Sequence, residues 1–460
     1  MILQIAPVMD RVGFASIDFT SSTHMAVTAR YHKENPWERI RLMADATPKT
    51  PLSFLTTGLR FISWERASDD FMRLAFRLLV KNGIRRFLAM DPMNDAAAVL
   101  QVARTISEEG CSNVVAALVY TISPLNDDAY YAERAALFAA SPYVERVYIK
   151  DPGGLLTAER ARTLIPAITA RLGGKPLELH SHCTIGLAPF SYVVAADLDI
   201  AALHTAAGPL GNGSSQPTAE RVSANLRTLG HTVDIDDAAL AEMSAYFEAL
   251  AAAEGLPPGT PSEFDESYFQ HQIPGGMLST MKRQLAEIRQ LDKLPAVFEE
   301  TARVRAELGY PIMVTPFSQV IGTQAVMNVI SGERYANVPD EVMRYMLGRF
   351  GSPPGEVDES VRRLVLSRPR AKELEAEPAM PELDELRSRF EKNISDEEFV
   401  LRAVMPQAQV DAMLAAPPLR RTYEPGIRPI MKLLRELTTR DVGRVRVEKP
   451  GFSLELVRRA

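Results

Sequence analysis

Lys150, His180 and His182 are the residues whose types and spacing most directly suggest chemistry. His180 ends the apolar run Leu177-Glu178-Leu179, and His182 follows two residues on. Side chains at i and i+2 of a strand share a face, so both imidazoles point one way and Ser181 points the other. Neutral imidazoles at that spacing suit a divalent transition metal. Lys150 closes the run Val147-Tyr148-Ile149 about one β/α repeat upstream. A buried ammonium is costly and needs a reason. If the two runs are neighbouring strands of a parallel barrel, the three side chains converge at its C-terminal face, where barrel active sites lie. Taken singly, each has an ordinary reading: two unrelated histidines, and a solvated lysine at a strand end. Their occurrence in neighbouring repeats favours a site.

The elements that would position them alternate. A helix over 2–12, stopped by Gly13, precedes a strand at Phe14–Phe19. Further strands are expected at Leu52–Thr56, Phe87–Met90, Val114–Tyr120, Val144–Lys150, Leu177–Ser181 and Ile200–His204. Amphipathic helices are expected between them at Trp37–Ala46, Asp69–Asn82, Asp95–Glu109, Asp127–Ala140, Thr157–Leu172 and Leu187–Ala196. This alternation predicts a parallel sheet, either a β/α barrel or a doubly wound fold. No G-x-G-x-x-G follows an early strand, which leaves a dinucleotide fold little support. The late Gly-rich loop Gly208–Gln216 holds an anion or simply turns the chain. Seven strands fall one short of the eight that close a barrel. The expectation is a TIM-type barrel lacking its first strand: a truncated start, a real loss, or a strand donated by a partner.

Bulk properties narrow the class. The 460 residues are 46% hydrophobic and 24% charged, with a net charge of −6. That is a globular composition without a basic footprint for nucleic acid. No apolar run reaches the ~18 residues of a membrane span, and the start lacks signal-peptide features. Two cysteines, Cys111 and Cys183, form no disulfide framework. The expected location is the cytoplasm. Cys183 lines the site or is a small buried residue.

From residue 234 only helices are expected: Asp237–Glu254, Met277–Leu291, Pro295–Leu308, Pro316–Ser331, Pro339–Gly348 and Glu359–Leu366. Thr315 reads most simply as the N-cap of a helix with Pro316 at its first position. Residues 368–384 read as a linker. A small helical piece follows, then a second linker at Pro417-Pro418. The tail reads as a helix, Met431–Thr438, and a hairpin, Arg444–Glu448 with Phe452–Val457, turned at Lys449-Pro450-Gly451. The expected division is a barrel over 1–233, a helical funnel over 234–370, a linker with a small helical segment over 371–425, and a helix-hairpin tail over 426–460.

Several stretches together resemble the carboxyltransferase chain of biotin-dependent enzymes such as oxaloacetate decarboxylase, transcarboxylase and pyruvate carboxylase. They are Asn35–Arg41, Met93–Asp95, Tyr120–Pro124, Ile149–Leu156, Leu179–His182, Gln272–Met277 and Val314–Val326. The resemblance covers residues 1 to about 370. It implies a barrel with a helical funnel over its C-terminal end. It implies a divalent metal (zinc, manganese or cobalt) on His180, His182 and a Lys150 carboxylated on its amine. CO₂ turns that cation into an anionic oxygen ligand. It also implies that Thr315 shuttles a proton between the biotin ring nitrogen and the enolate of a keto acid, since a hydroxyl both donates and accepts. Ser318 and Gln319, in the same V-T-P-F-S-Q stretch, fall on the biotin side. Implied partners are a small acid substrate, a biotin carboxyl carrier protein, a biotin carboxylase and further copies of the chain.

Departures from the family pattern bear on the acceptor. Thr56-Thr57-Gly58 lacks the arginine that grips the keto-acid carboxylate, which threonine does not replace. Trp64 stands for a tyrosine. Phe87–Asp91 lacks a second arginine, and Cys183 takes the place of an aspartate. These changes point to a bulkier or less anionic acceptor than pyruvate. The tail resembles the leader before a biotinyl domain but has no Met-Lys-Met motif, so biotin is expected on another chain. The competing readings are a biotin-independent metal lyase or aldolase of the same barrel superfamily, and a non-catalytic interaction subunit.

Overall fold

The computed structural model describes residues 1–63, 65–422, 444–449 and 452–457. Seven parallel strands form one curled sheet in sequence order: β1 (Ile17–Ser21), β2 (Leu52–Thr57), β3 (Ile84–Met90), β4 (Val114–Val119), β5 (Arg146–Asp151), β6 (Leu177–Ser181) and β7 (Ile200–Leu203). Helices cover the outer face, so most strands are buried on both sides, and all six residues of β4 are. The barrel reading therefore holds against the doubly wound one. Among the described residues, β1 and β7 are the two edges of this sheet. They face each other across a cleft of about 590 Å³, floored by Ile2 and Met9 on one side and Met243 and Phe247 on the other.

Local rules explain the boundaries. Asn35 caps the helix Pro36–Ala46 by accepting from Trp37 N at 3.0 Å, with Pro36 in the first turn. β1 begins at Ile17 rather than Phe14. Its first ladder bond goes to Pro51 O, and the partner strand starts only at Leu52. Strand β5 runs one residue beyond Lys150, because Asp151 still pairs with Ser181. A helical stretch over Ser22–Val27 that continues as a π-turn to His32, and a helix at Ala219–Thr228, were not evident in the sequence.

A second core sits over the barrel mouth. Ile273, Met281, Val297, Val304, Phe317 and Ile321 pack together from the helices Gly275–Glu287, Leu294–Glu307 and Phe317–Ser331. Ile312 and Val314 drop from it into the barrel, against Leu88, Met90, Val115, Ala117, Val119 and Tyr148. Polar ties fix the junction. Gln272 accepts from Thr121 Oγ1 at 2.9 Å and donates to Ile122 O at 2.8 Å, and Arg305 reaches both residues.

Part of the expected linker is ordered structure. Pro369–Glu375 is a helix that buries Ala371 and Leu374 in the second core. Proline at its first turn starts this helix rather than breaking it. Residues from Leu386 to Met413 return to the barrel core, where Phe399 lies 6.4 Å from Phe71 and Trp37 Nε1 donates to Glu397 O at 3.0 Å. The tail hairpin pairs Arg444–Lys449 with Phe452–Val457, close to expectation. The expected helix at Met431–Thr438, the turn residues Pro450 and Gly451, and Trp64 lie outside the described residues.

Candidate active site

Strand alternation and register build the site. Lys150 pairs with His180 across β5 and β6, and Tyr148 pairs with Glu178 one layer below. On the same inner face stand Asp18 of β1, Arg86 of β3 and His204, just beyond β7. The sheet thus collects several polar side chains at one end of an otherwise apolar barrel.

His180 and His182 converge as expected, with their Nε2 atoms 3.1 Å apart. His182 Nδ1 lies 2.6 Å from the Ser214 carbonyl. That acceptor fixes the proton on Nδ1 and leaves the Nε2 lone pair free toward His180. The Gly-rich loop therefore turns the chain over the histidines and offers them a carbonyl rather than holding an anion. From the same loop, Gln216 Nε2 comes within 3.2 Å of His180 Nε2.

Burial keeps both rings neutral. It pushes His182 down to about 4 and His180 well below the usual histidine range, helped by the charge of Lys150. Burial also pushes the Lys150 amine down to about 8, opposed in part by Asp18. Among the described residues that amine makes no hydrogen bond. Two neutral, convergent imidazoles beside a buried amine that CO₂ can carboxylate are a donor set that fits a divalent metal.

The loop after β5 is held to the histidine strand. Asp151 accepts from Leu155 N and Leu156 N, each at 2.9 Å, and from Ser181 Oγ at 2.7 Å. Gly154 permits the contact: a methyl there would sit 2.3 Å from His182 O, on a backbone with φ +69°.

Two residues of the site were missed in the sequence. His204 Nδ1 lies 3.2 Å from His180 Nδ1 and 3.4 Å from an Asp18 carboxylate oxygen, while its Nε2 is 3.0 Å from Glu178. Asp18 is 42% exposed, but the surface it exposes is the wall of the cleft. Burial alone would lower His204. Asp18 and Glu178 outweigh it and raise the ring to about 9. Burial would raise Asp18, and the His204 contact holds it below the usual carboxylate range instead. The available signal was the one used for Lys150: a charge inside a short apolar strand.

Thr315 is not a helix cap. The helix starts at Phe317 with Pro316 in the cap position, which frees Thr315 from the role its sequence suggested. It follows Val314, which plugs the barrel against Tyr148, and Tyr148 stacks on His204 at 5.6 Å. Thr315 therefore stands at the mouth, half-buried. Among the described residues, no hydrogen bond joins it to the histidines. Ser318 is buried in the helix, and Gln319 is exposed. Cys183 is buried.

A β/α barrel with a helical cap, and a metal-type donor set at the strand ends between them, define a class that comparison makes specific. The profile of the family "Conserved carboxylase domain" matches residues 269–417. One of the two kinds of chain that make up pyruvate carboxylase in Methanothermobacter thermautotrophicus is 35% identical over 392 residues, 84% of this chain and 68% of that protein. The 2-oxoglutarate carboxylase large subunit of Hydrogenobacter thermophilus is 31% identical, over 90% of this chain and 65% of that protein. The carboxyl transferase domain of Rhizobium etli pyruvate carboxylase, solved with oxamate and biotin, superposes with a TM-score of 0.81 at 25% identity, covering 90% of this chain and 73% of that one. The chain belongs to the carboxyltransferase family of biotin-dependent enzymes. No helix among the described residues is long and apolar enough to cross a membrane.

Proposed function

We propose that this chain moves a carboxyl group between carboxybiotin, carried on a separate protein, and a small 2-oxo acid. The site is a divalent metal held by His180, His182 and carboxylated Lys150. The observation that carries this reading is the convergence of the two Nε2 atoms at 3.1 Å beside the buried Lys150, at the mouth of a barrel of this family. The metal, when bound, supplies a positive charge that orders the acceptor and stabilises its enolate.

The chain's own residues do the rest. Ser214 O holds the His182 tautomer. Asp151 braces the loop beside Lys150. Thr315 gives a proton to one partner and takes it from the other. Ser318 and Gln319 belong to the biotin side. The partners are a biotin carboxyl carrier protein and a biotin carboxylase, in a cytoplasmic complex containing further copies of the chain. The two relatives are named for pyruvate and 2-oxoglutarate, both 2-oxo acids. With Thr56-Thr57-Gly58 in place of an arginine, the acceptor is bulkier or less anionic than pyruvate.

The test runs the transfer backwards, as decarboxylation of oxaloacetate or oxalosuccinate by the full chain with free biotin. Thr315→Ala should lower the biotin-dependent rate by about 10²–10⁴-fold. Metal content should be unchanged, and Thr315→Ser should restore part of the rate. An unaltered rate in Thr315→Ala removes the assignment. Decarboxylation that ignores biotin in the parent chain supports the lyase reading instead.

A further inference from the structure

His180 presents two nitrogens to two different neighbours. Its Nε2 meets His182, as the proposed metal site requires. Its Nδ1 points the other way, into the cleft between β1 and β7. There it meets His204 Nδ1 at 3.2 Å, and His204 Nδ1 in turn faces Asp18 at 3.4 Å. All three donor atoms lie within 4.8 Å of one another. Ligand atoms on a tetrahedron with bonds of about 2.05 Å stand about 3.3 Å apart, which these spacings match.

The surroundings are those of a ligand. His204 Nε2 lies 3.0 Å from Glu178, a carboxylate–histidine pair that aims the other ring nitrogen and raises its basicity. Glu178 is fully buried and already paired with Arg86 and with Arg146, the latter at 3.3 Å. It therefore orients the ring and is not itself free to bind. Asp18 has His204 as its one ion-pair partner among the described residues. Tyr148, stacked within 10° of parallel on His204, fixes the plane of the ring. The side of the triad away from the protein opens on the cleft, leaving room for water or another small ligand.

We propose that Asp18, His180 Nδ1 and His204 Nδ1 form a divalent-cation site of the open, three-ligand type, distinct from the pair made by His180 Nε2 and His182. A cation there displaces the His204 Nδ1 proton and takes its place among the same three groups. The site does not need Lys150, biotin or carboxyl transfer, so it stands or falls separately from the function proposed above.

The experiment titrates metal-stripped full chain with cobalt(II), reading ligand-field absorption and competition with a chelator. It is done in a His182→Ala background, which disables the Nε2 pair. That variant should still bind about one equivalent in a low-symmetry, tetrahedral-type environment. Adding Asp18→Asn, an isosteric change in a cleft-facing side chain, should weaken binding by at least about tenfold, as should adding His204→Asn. Thermal unfolding of each variant without metal reports whether it folds, and Asp18→Asn remains informative if His204→Asn does not. A His182→Ala chain that binds no cobalt overturns the proposal. So does one whose affinity is untouched by Asp18→Asn. If His204→Asn weakens binding only while His182 is present, His204 merely positions His180, and the separate site is wrong.

Discussion

Burial decides what Lys150 can do. An ordinary lysine is about 0.04% neutral at pH 7. With the amine pushed down to about 8, roughly 10% is neutral. Only the neutral amine attacks CO₂, so carboxylation should rise as pH passes upward through 8. In metal-stripped chain supplied with ¹³C-bicarbonate, a carbamate NMR signal should grow between pH 7 and 9 and be missing from Lys150→Ala. A signal that is flat across that range, or that survives the substitution, would contradict the role given to this residue. Lys150, His180 and His182 were legible because strand alternation places i and i+2 together without any knowledge of neighbours. Asp18 and His204 were not. Their meeting depends on the curl that brings β1 opposite β7, and pattern within one strand carries no information about that. Thr315 was misread as a cap because Thr-Pro before a helix is the usual sequence of one. Here the cap position fell one residue later.

At the scale of elements, loops hold the site, and glycine sets how close they approach. The loop after β5 meets the backbone of His182 at Gly154, where a methyl would overlap His182 O on a left-handed backbone. Gly154→Ala should cost about 1–3 kcal/mol in thermal unfolding. It should also weaken cobalt binding, because the displaced atom belongs to a ligand residue. Gly173 gives the control: its φ of +59° carries the same backbone strain, but nothing lies within 4 Å of an added methyl. Gly173→Ala should destabilise modestly and leave metal affinity alone. Equal effects of the two substitutions on affinity would show that strain, not the contact with His182, is responsible. The Gly-rich loop at 208–216 was visible in the sequence as a loop. Its task was not, since a carbonyl given to His182 leaves no mark in composition.

For the whole molecule, the order and type of the barrel strands and most of its helices followed from hydrophobic period and turn residues. The extent of the chain that packs as one body did not. Residues near 370 are rich in charge and proline and read as a linker, yet Ala371 and Leu374 are enough to seat a helix on the second core. Phe399, far along the chain, fills a place among Phe71 and Phe390 on the barrel. Such long-range burial is decided by what a short apolar set finds opposite it. The plug of Ile312 and Val314 works in the same way: it joins funnel to barrel and sets Thr315 over the histidines' end of the sheet. The account therefore rests on one claim, that the mouth where barrel and funnel meet holds a divalent metal on His180 and His182. Metal content of the 460-residue chain, purified beside a His180→Ala/His182→Ala double variant, tests it most directly. At least one equivalent of zinc, manganese or cobalt in the parent and none in the variant is the predicted result. Equal metal in the two, or none in either, would contradict it.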